Sequence, residues 1–179
     1  QGRGAEHIMS QLLIKDGDTV PGNMYFTTTR LHQEMAGGAF VDVIVDEAHD
    51  PASEFPFKGN VDLGKLDRLV QEVGAERVPY ISLEGNVNMA GGQPFSMANL
   101  RELHAYCRKH DSLIMPDITR TMENAFFIKE REPGFENKTV AKILREICDL
   151  TDGCTNSAKK DALVNIGGFF ACNDEDLFR

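Results

Sequence analysis

An α/β fold, with a mainly parallel sheet and helices on both faces, is predicted by three observations. Runs rich in β-branched residues alternate with amphipathic helical patterns, the connections are long enough for right-handed crossovers, and polar residues collect just after the apolar runs. The opening "QGRGAEH" reads as the start of a helix. "NMYF" (23–26) reads as a strand end followed by Thr27, Thr28 and Thr29, and "AFVDVIV" (39–45) as the next strand. A turn-rich stretch from Asp46 to Gly59 precedes a helix whose Leu63, Leu66, Leu69, Val70 and Val73 share one face. "VPYISL" (78–83) is a strand, followed by the loop "EGNVNMAGGQPFS". Met97, Leu100, Leu103 and Cys107 then mark a second amphipathic helix. "SLIMPD" (112–117) supplies another strand, and Val140, Ile143, Leu144, Ile147 and Cys148 a further helix with Thr139 as its N-cap. The run from Ile166 to Cys172 is nearly all apolar and predicts a deeply buried strand.

The 179 residues fit one globular domain, and 41% hydrophobic residues are enough for a core. A net charge of −9 argues against nucleic-acid or anionic-membrane binding, although a local basic pocket can still hold a phosphate. No apolar run approaches the ~18 residues of a membrane helix. The four cysteines form no C-x-x-C pair, so a reducing cytoplasm is the expected location. The chain starts without Met, directly at a glycine-rich turn, and is expected to be an excerpt of a longer protein.

Two tempting motifs fail. "DEAHD" (46–50) imitates a helicase box, but there is no G-x-x-x-x-G-K-[ST] loop to cradle a triphosphate, which leaves a solvated acidic turn. The five histidines lack H-E-x-x-H or Cys/His ligand spacing, which removes the usual zinc arrangements.

In a parallel sheet, ligands bind beyond the strand ends, so the residues there carry the functional reading. Gln1, Gly2 and Arg3 place backbone N–H groups at a helix start, where a phosphate can bind; alone they are only a helix cap. Asp117, leaving an apolar strand, can partner a protonated pyridine nitrogen, though such an Asp by itself is more often a turn residue. Lys160, at the edge of an apolar strand and beside Lys159, is placed to expose a neutral amine to a carbonyl. A lone lysine there would snorkel to solvent.

The order of these parts resembles the fold-type I pyridoxal phosphate enzymes. More specifically, "GNMYFTTTRLHQEMAGGAFVDVIVDEAHD", "VNMAGGQPFSMANLRE", "ENAFFIKEREPGFENK" and "DGCTNSAKKDALVNIGGF" resemble the tryptophanase and tyrosine phenol-lyase family of β-eliminating lyases. The resemblance covers essentially the whole chain but less than half of a family enzyme. It implies that residues 1–179 are part of the large cofactor-binding domain, without the family's N-terminal segment and C-terminal small domain.

The resemblance also implies roles. Lys160 matches the lysine that carries the cofactor and moves the substrate α-proton, and Lys159 a neighbouring cation. Ser157, Gln1, Gly2 and Arg3 match phosphate contacts. Phe26 matches the ring stacked on the cofactor, and Thr27 a group beside the substrate. Asn88 and Arg120 match the groups at the cofactor's phenolic oxygen, Asp117 the pyridinium partner, and Asn165 a residue whose backbone carbonyl binds potassium. Three departures stand out: "LEGNVN" where "LAVTVN" is expected, "MPDITRT" without an aromatic before the Asp, and "SAKKD" for "SGKKD". They introduce Glu84 and Ala158 near the site.

The implied reaction is carbon–carbon β-elimination of an aromatic L-amino acid. Tryptophan, giving indole, pyruvate and ammonia, is the first expectation, and tyrosine, giving phenol, the alternative. A threonine aldolase-like enzyme and a truncated, inactive cofactor-binding module also stay open. The family further implies a homotetramer built as a dimer of dimers.

Overall fold

A computed structural model describes residues 1–178. Six strands form one sheet: β1 (Thr19–Gly22), β2 (Ala39–Asp42), β3 (Tyr80–Glu84), β4 (Leu113–Asp117), β5 (Gly153–Ser157) and β6 (Gly168–Cys172). Their spatial order is β2-β1-β3-β4-β5-β6. All neighbours are parallel except β5 and β6, which run antiparallel. The helices are α1 (Gly2–Leu13), α2 (Thr27–Met35), α3 (Leu63–Val73), α4 (Met97–His110), α5 (Thr121–Arg131), α6 (Val140–Asp149) and the short α7 (Glu175–Phe178). The expected α/β fold with two helical layers is therefore present.

Strand alternation assigns the two layers. Ile81 and Leu83 of β3 and Ile114 of β4 point to one face. There they pack on Leu66 and Val70 of α3, Leu100, Leu103 and Cys107 of α4, Ala125 and Ile128 of α5, and Ile143 and Ile147 of α6. Tyr80 and Met115 point the other way and meet Met9 of α1, with Val20 and half-buried Phe170 beside them. Asp117 lies two residues beyond Met115, and Glu84 four beyond Tyr80, so both strands deliver their terminal carboxyl residue to the α1 face.

Helix starts follow local chemistry. The Asp62, Ser96 and Thr139 side chains cap α3, α4 and α6 by accepting the N–H of Lys65, Asn99 and Lys142. By contrast, α1 starts at Gln1 with no side-chain cap.

Four expectations need correction. "NMYF" is not a strand: Met24 has φ 69°, which breaks the extended backbone, and Phe26 is the N-cap of α2. The strand expected over 39–45 stops at Asp42, whose Oδ1 accepts the Ile44 N–H (2.9 Å) and bends the chain; Ile44 makes only an isolated bridge to Val61. The apolar run 166–172 is not deeply buried, because β6 is the outer antiparallel strand and leaves Phe169 46% exposed. Lys160 follows β5 in the turn between β5 and β6 rather than at the edge of an apolar strand.

Candidate functional site

The C-terminal ends of β4 and β5 and the N-terminus of α1 surround a cavity of about 130 Å³. Its wall holds Gln1, Gly2, Arg3, Phe26, Asp117, Arg120, Ser157, Lys159 and Lys160, nine residues singled out from the sequence, together with Glu6, Thr28 and Thr119. A broader hollow of about 910 Å³ shares Arg120, Lys159 and Lys160 and adds the apolar residues Met122, Phe126, Phe127 and Leu163.

Three other expected residues do not line this cavity. Thr27 is exposed while Thr28, next on the helix, lines the cavity. Asn88 is an exposed residue in the loop after β3, and Asn165 an exposed residue in the β5–β6 turn. Glu6, Thr28 and Thr119 were not singled out for the cavity. Thr28 stood within the threonine run, but which of three consecutive residues faces inward depends on the helix phase. Glu6 and Thr119 carry no motif signal.

The cavity has a basic rim and an acidic floor. Gly4 and Ala5 donate their N–H groups to the Gln1 carbonyl, whereas the N–H groups of Gly2 and Arg3 have no partner among the described residues. These free amides, the positive end of the α1 dipole and the Arg3 guanidinium together suit a phosphate. Lys160 Nζ donates to Ser157 Oγ at 3.3 Å, which tethers the amine to the end of β5. Ser157 is fixed in turn by its N–H to Thr119 Oγ1 at 2.8 Å.

Thr119 also holds Asp117, donating its N–H to Oδ1 at 2.8 Å. Burial pushes the Asp117 carboxyl above its ordinary range; the Thr119 hydroxyl and amide, Arg120 and Lys160 pull the other way. A cation placed against Asp117 would offset that desolvation, as a protonated ring nitrogen does. The donor set therefore fits pyridoxal phosphate: free helix amides for the phosphate, a carboxyl for the ring nitrogen and an amine for the carbonyl. Among the described residues, no group of three or more His, Cys, Asp and Glu could hold a metal ion.

Two further carboxyls lie next to Asp117. Glu6, raised chiefly by burial, receives the hydroxyls of Thr28 and Thr29, the latter at 3.1 Å. Glu84 is raised to about 8, first by burial and then by the charge of Asp117.

Known proteins with this fold include an aspartate aminotransferase from Thermotoga maritima, with a TM-score of 0.66 at 12% identity over 99% of this chain and 42% of that one. Substrate-bound BacF from Bacillus subtilis gives 0.66 at 16% identity over 99% and 40%. At these identities the likeness is one of fold. Much nearer in sequence are the tyrosine phenol-lyases of Nostoc punctiforme, 65% identical over 99% of this chain and 38% of its relative, and of Pasteurella multocida, 59% identical over 100% and 39%. The chain thus spans about two fifths of the length of these relatives. The family model described as "Beta-eliminating lyase" matches residues 1–178, and the chain belongs to that family.

Proposed function

We propose that the protein carrying this chain is a pyridoxal phosphate-dependent carbon–carbon lyase that converts L-tyrosine to phenol, pyruvate and ammonia. The observation that carries the cofactor reading is the meeting of Lys160, Asp117 and the open N-terminus of α1 in one cavity. Tyrosine replaces the initial expectation of tryptophan because the curated relatives at 54–65% identity are tyrosine phenol-lyases.

When bound, pyridoxal phosphate supplies an electron sink for charge developing at the substrate α-carbon. The chain's own groups do the rest. Gly2, Arg3, Gln1 and Ser157 hold the phosphate, and Arg3 adds charge-assisted hydrogen bonds. Asp117 would hold a proton at the ring nitrogen by offering it a fixed negative charge, and Phe26 would pack against the ring. Lys160 would attach to the cofactor's carbonyl carbon with loss of water and, once the substrate's amine has displaced it, would take the α-proton at its Nζ, positioned by Ser157, while Lys159 and Arg120 keep the rim positive. Thr27 and Asn88 are proposed to act beside the substrate and the phenolic oxygen on the strength of the resemblance.

The resemblance alone also supports a potassium ion at the backbone carbonyl of Asn165, a homotetramer and a cytoplasmic location. Exposed Ile8 and Leu12 on α1 and Leu31 and Met35 on α2 offer an apolar face that such an assembly would cover. No helix among the described residues is long and apolar enough to cross a membrane. The test is a product assay on the intact protein with pyridoxal phosphate and tyrosine, tryptophan or threonine. Phenol and pyruvate in equal amounts from tyrosine are expected; indole from tryptophan with no phenol, or acetaldehyde from threonine, would replace the reading.

A further inference from the structure

Three carboxyls from three different elements lie close together at the cavity: Asp117 and Glu6 line it, Glu84 stands beside Asp117 behind its wall, and their surroundings differ. Asp117 receives the Thr119 amide and hydroxyl and faces Arg120 and Lys160. Glu6 on α1 accepts the Thr29 hydroxyl at Oε1 (3.1 Å), has the Thr28 hydroxyl close by and faces Arg3, while its Oε2 has no partner among the described residues. Glu84 has no hydroxyl donor among the described residues. It is approached by the Asn88 amide and by Arg120, and its Oε2 has no partner among the described residues although the residue is only 6% exposed.

The backbone of Glu84 is clamped. Its N–H donates to Asn23 Oδ1 at 2.7 Å and its carbonyl accepts from Asn23 Nδ2 at 3.0 Å, and Asn23 is itself wholly buried. The parallel register sets Glu84 directly beside Asp117 at the ends of β3 and β4, on the same face. Neighbouring strands lie only about 4.8 Å apart, so two negative charges at these positions would repel strongly in a poorly solvated place. One proton relieves that repulsion. It belongs on the carboxyl with fewer donors, because hydrogen bonds to a carboxylate favour its charged form.

We infer that Glu84 works as a neutral carboxylic acid, a positioning residue that leaves the negative charge of the pair on Asp117, where the cofactor's ring nitrogen would meet it. The inference rests on the proposed role of Asp117 and adds a residue that the family resemblance flags only as a departure. Burial and the charges of Asp117 and Glu6 hold the proton on Glu84, against the pull of Arg120 and the Asn88 amide. Arg3, Lys159 and Lys160 complete the charged surroundings of the cavity.

The test has two readouts on the intact protein. Infrared spectroscopy of the cofactor-free protein at neutral pH should show a protonated-carboxyl band that Glu84→Gln removes. In the native protein the band should vanish as pH rises through about 8, and Asp117→Asn should shift that loss to lower pH. Titration with pyridoxal phosphate should then show a step in affinity over the same pH range that is absent in Glu84→Gln. A missing band, or one unaffected by Glu84→Gln, overturns the inference. Binding with no step that Glu84→Gln removes leaves Glu84 a buried acid with no positioning role and also overturns it. A native protein that shows the band but binds no pyridoxal phosphate would instead point to failure of the functional reading beneath it.

Discussion

Gly2 sits against Ser157 so closely that a β-carbon on Gly2 would lie 2.6 Å from Ser157 Cβ. This contact presses the uncapped end of α1 onto the end of β5, so the free amides of the helix and the hydroxyl that tethers Lys160 share one wall. Gly168 closes the same seam from β6, where an added β-carbon would be 2.5 Å from the Asn156 carbonyl oxygen. The absence of two side chains thus sets the distance between the candidate phosphate site and the candidate amine.

Gly2→Ala should therefore separate α1 from β5. Affinity for pyridoxal phosphate is expected to fall about tenfold or more, ~1.4 kcal/mol, while far-UV circular dichroism stays native-like. Cofactor titration by absorbance measures it, and unchanged affinity would show that the contact does not shape the site.

Asp117→Asn should retain attachment of the cofactor to Lys160 but slow exchange of the substrate α-proton by ~10²-fold or more, because a neutral amide cannot hold a proton on the ring nitrogen. Deuterium exchange followed by NMR reads this directly. Exchange at the native rate would make Asp117 a turn residue.

Glu84 gives a pH-dependent stability with a definite sign. Its folded pKa, about 8, lies above the ordinary 4.5, so its contribution is fully present below pH 4.5 and is lost as pH rises toward 8. Glu84→Gln should consequently be more stable relative to the native protein at pH 8 than at pH 4.5. Urea denaturation at the two values is the check; a difference independent of pH would show that Glu84 ionises normally.

Asn23→Ala would strand the Glu84 N–H and carbonyl and the Gly59 carbonyl, all bonded to the Asn23 side chain. At 1–3 kcal/mol for each buried polar group left unpaired, a loss of about 2 kcal/mol or more is expected in chemical denaturation. A loss below about 0.5 kcal/mol would mean that water replaces the clamp.

The elements legible in the sequence were those whose neighbours impose a period. α3, α4 and α6 each bury one stripe, and β3 and β4 sit in the middle of the sheet, so their apolar residues recur as the geometry requires. β1 ("TVPG") and β5 ("GCTNS") are short and carry Pro, Gly or polar residues, so nothing local announces a strand; only pairing with neighbours makes them extended. α5 was hidden because Phe126, 45% exposed, and Phe127 stand off the face formed by Ala125 and Ile128. In the site, Asp117 could be read because it ends the apolar run of β4, and Lys160 because it stands in the stretch "DGCTNSAKKDALVNIGGF" that resembles the family. Glu6 and Thr119 could not, since they enter the cavity only through the packing of α1 on the sheet and the turn after β4.

The central claim, that this cavity holds pyridoxal phosphate through Lys160, is tested most directly by borohydride reduction of the intact protein with pyridoxal phosphate, followed by peptide mapping. A phosphopyridoxyl label is expected on Lys160, retained in Lys159→Ala and lost in Lys160→Ala. A label on Lys159, or none on either lysine, would contradict it.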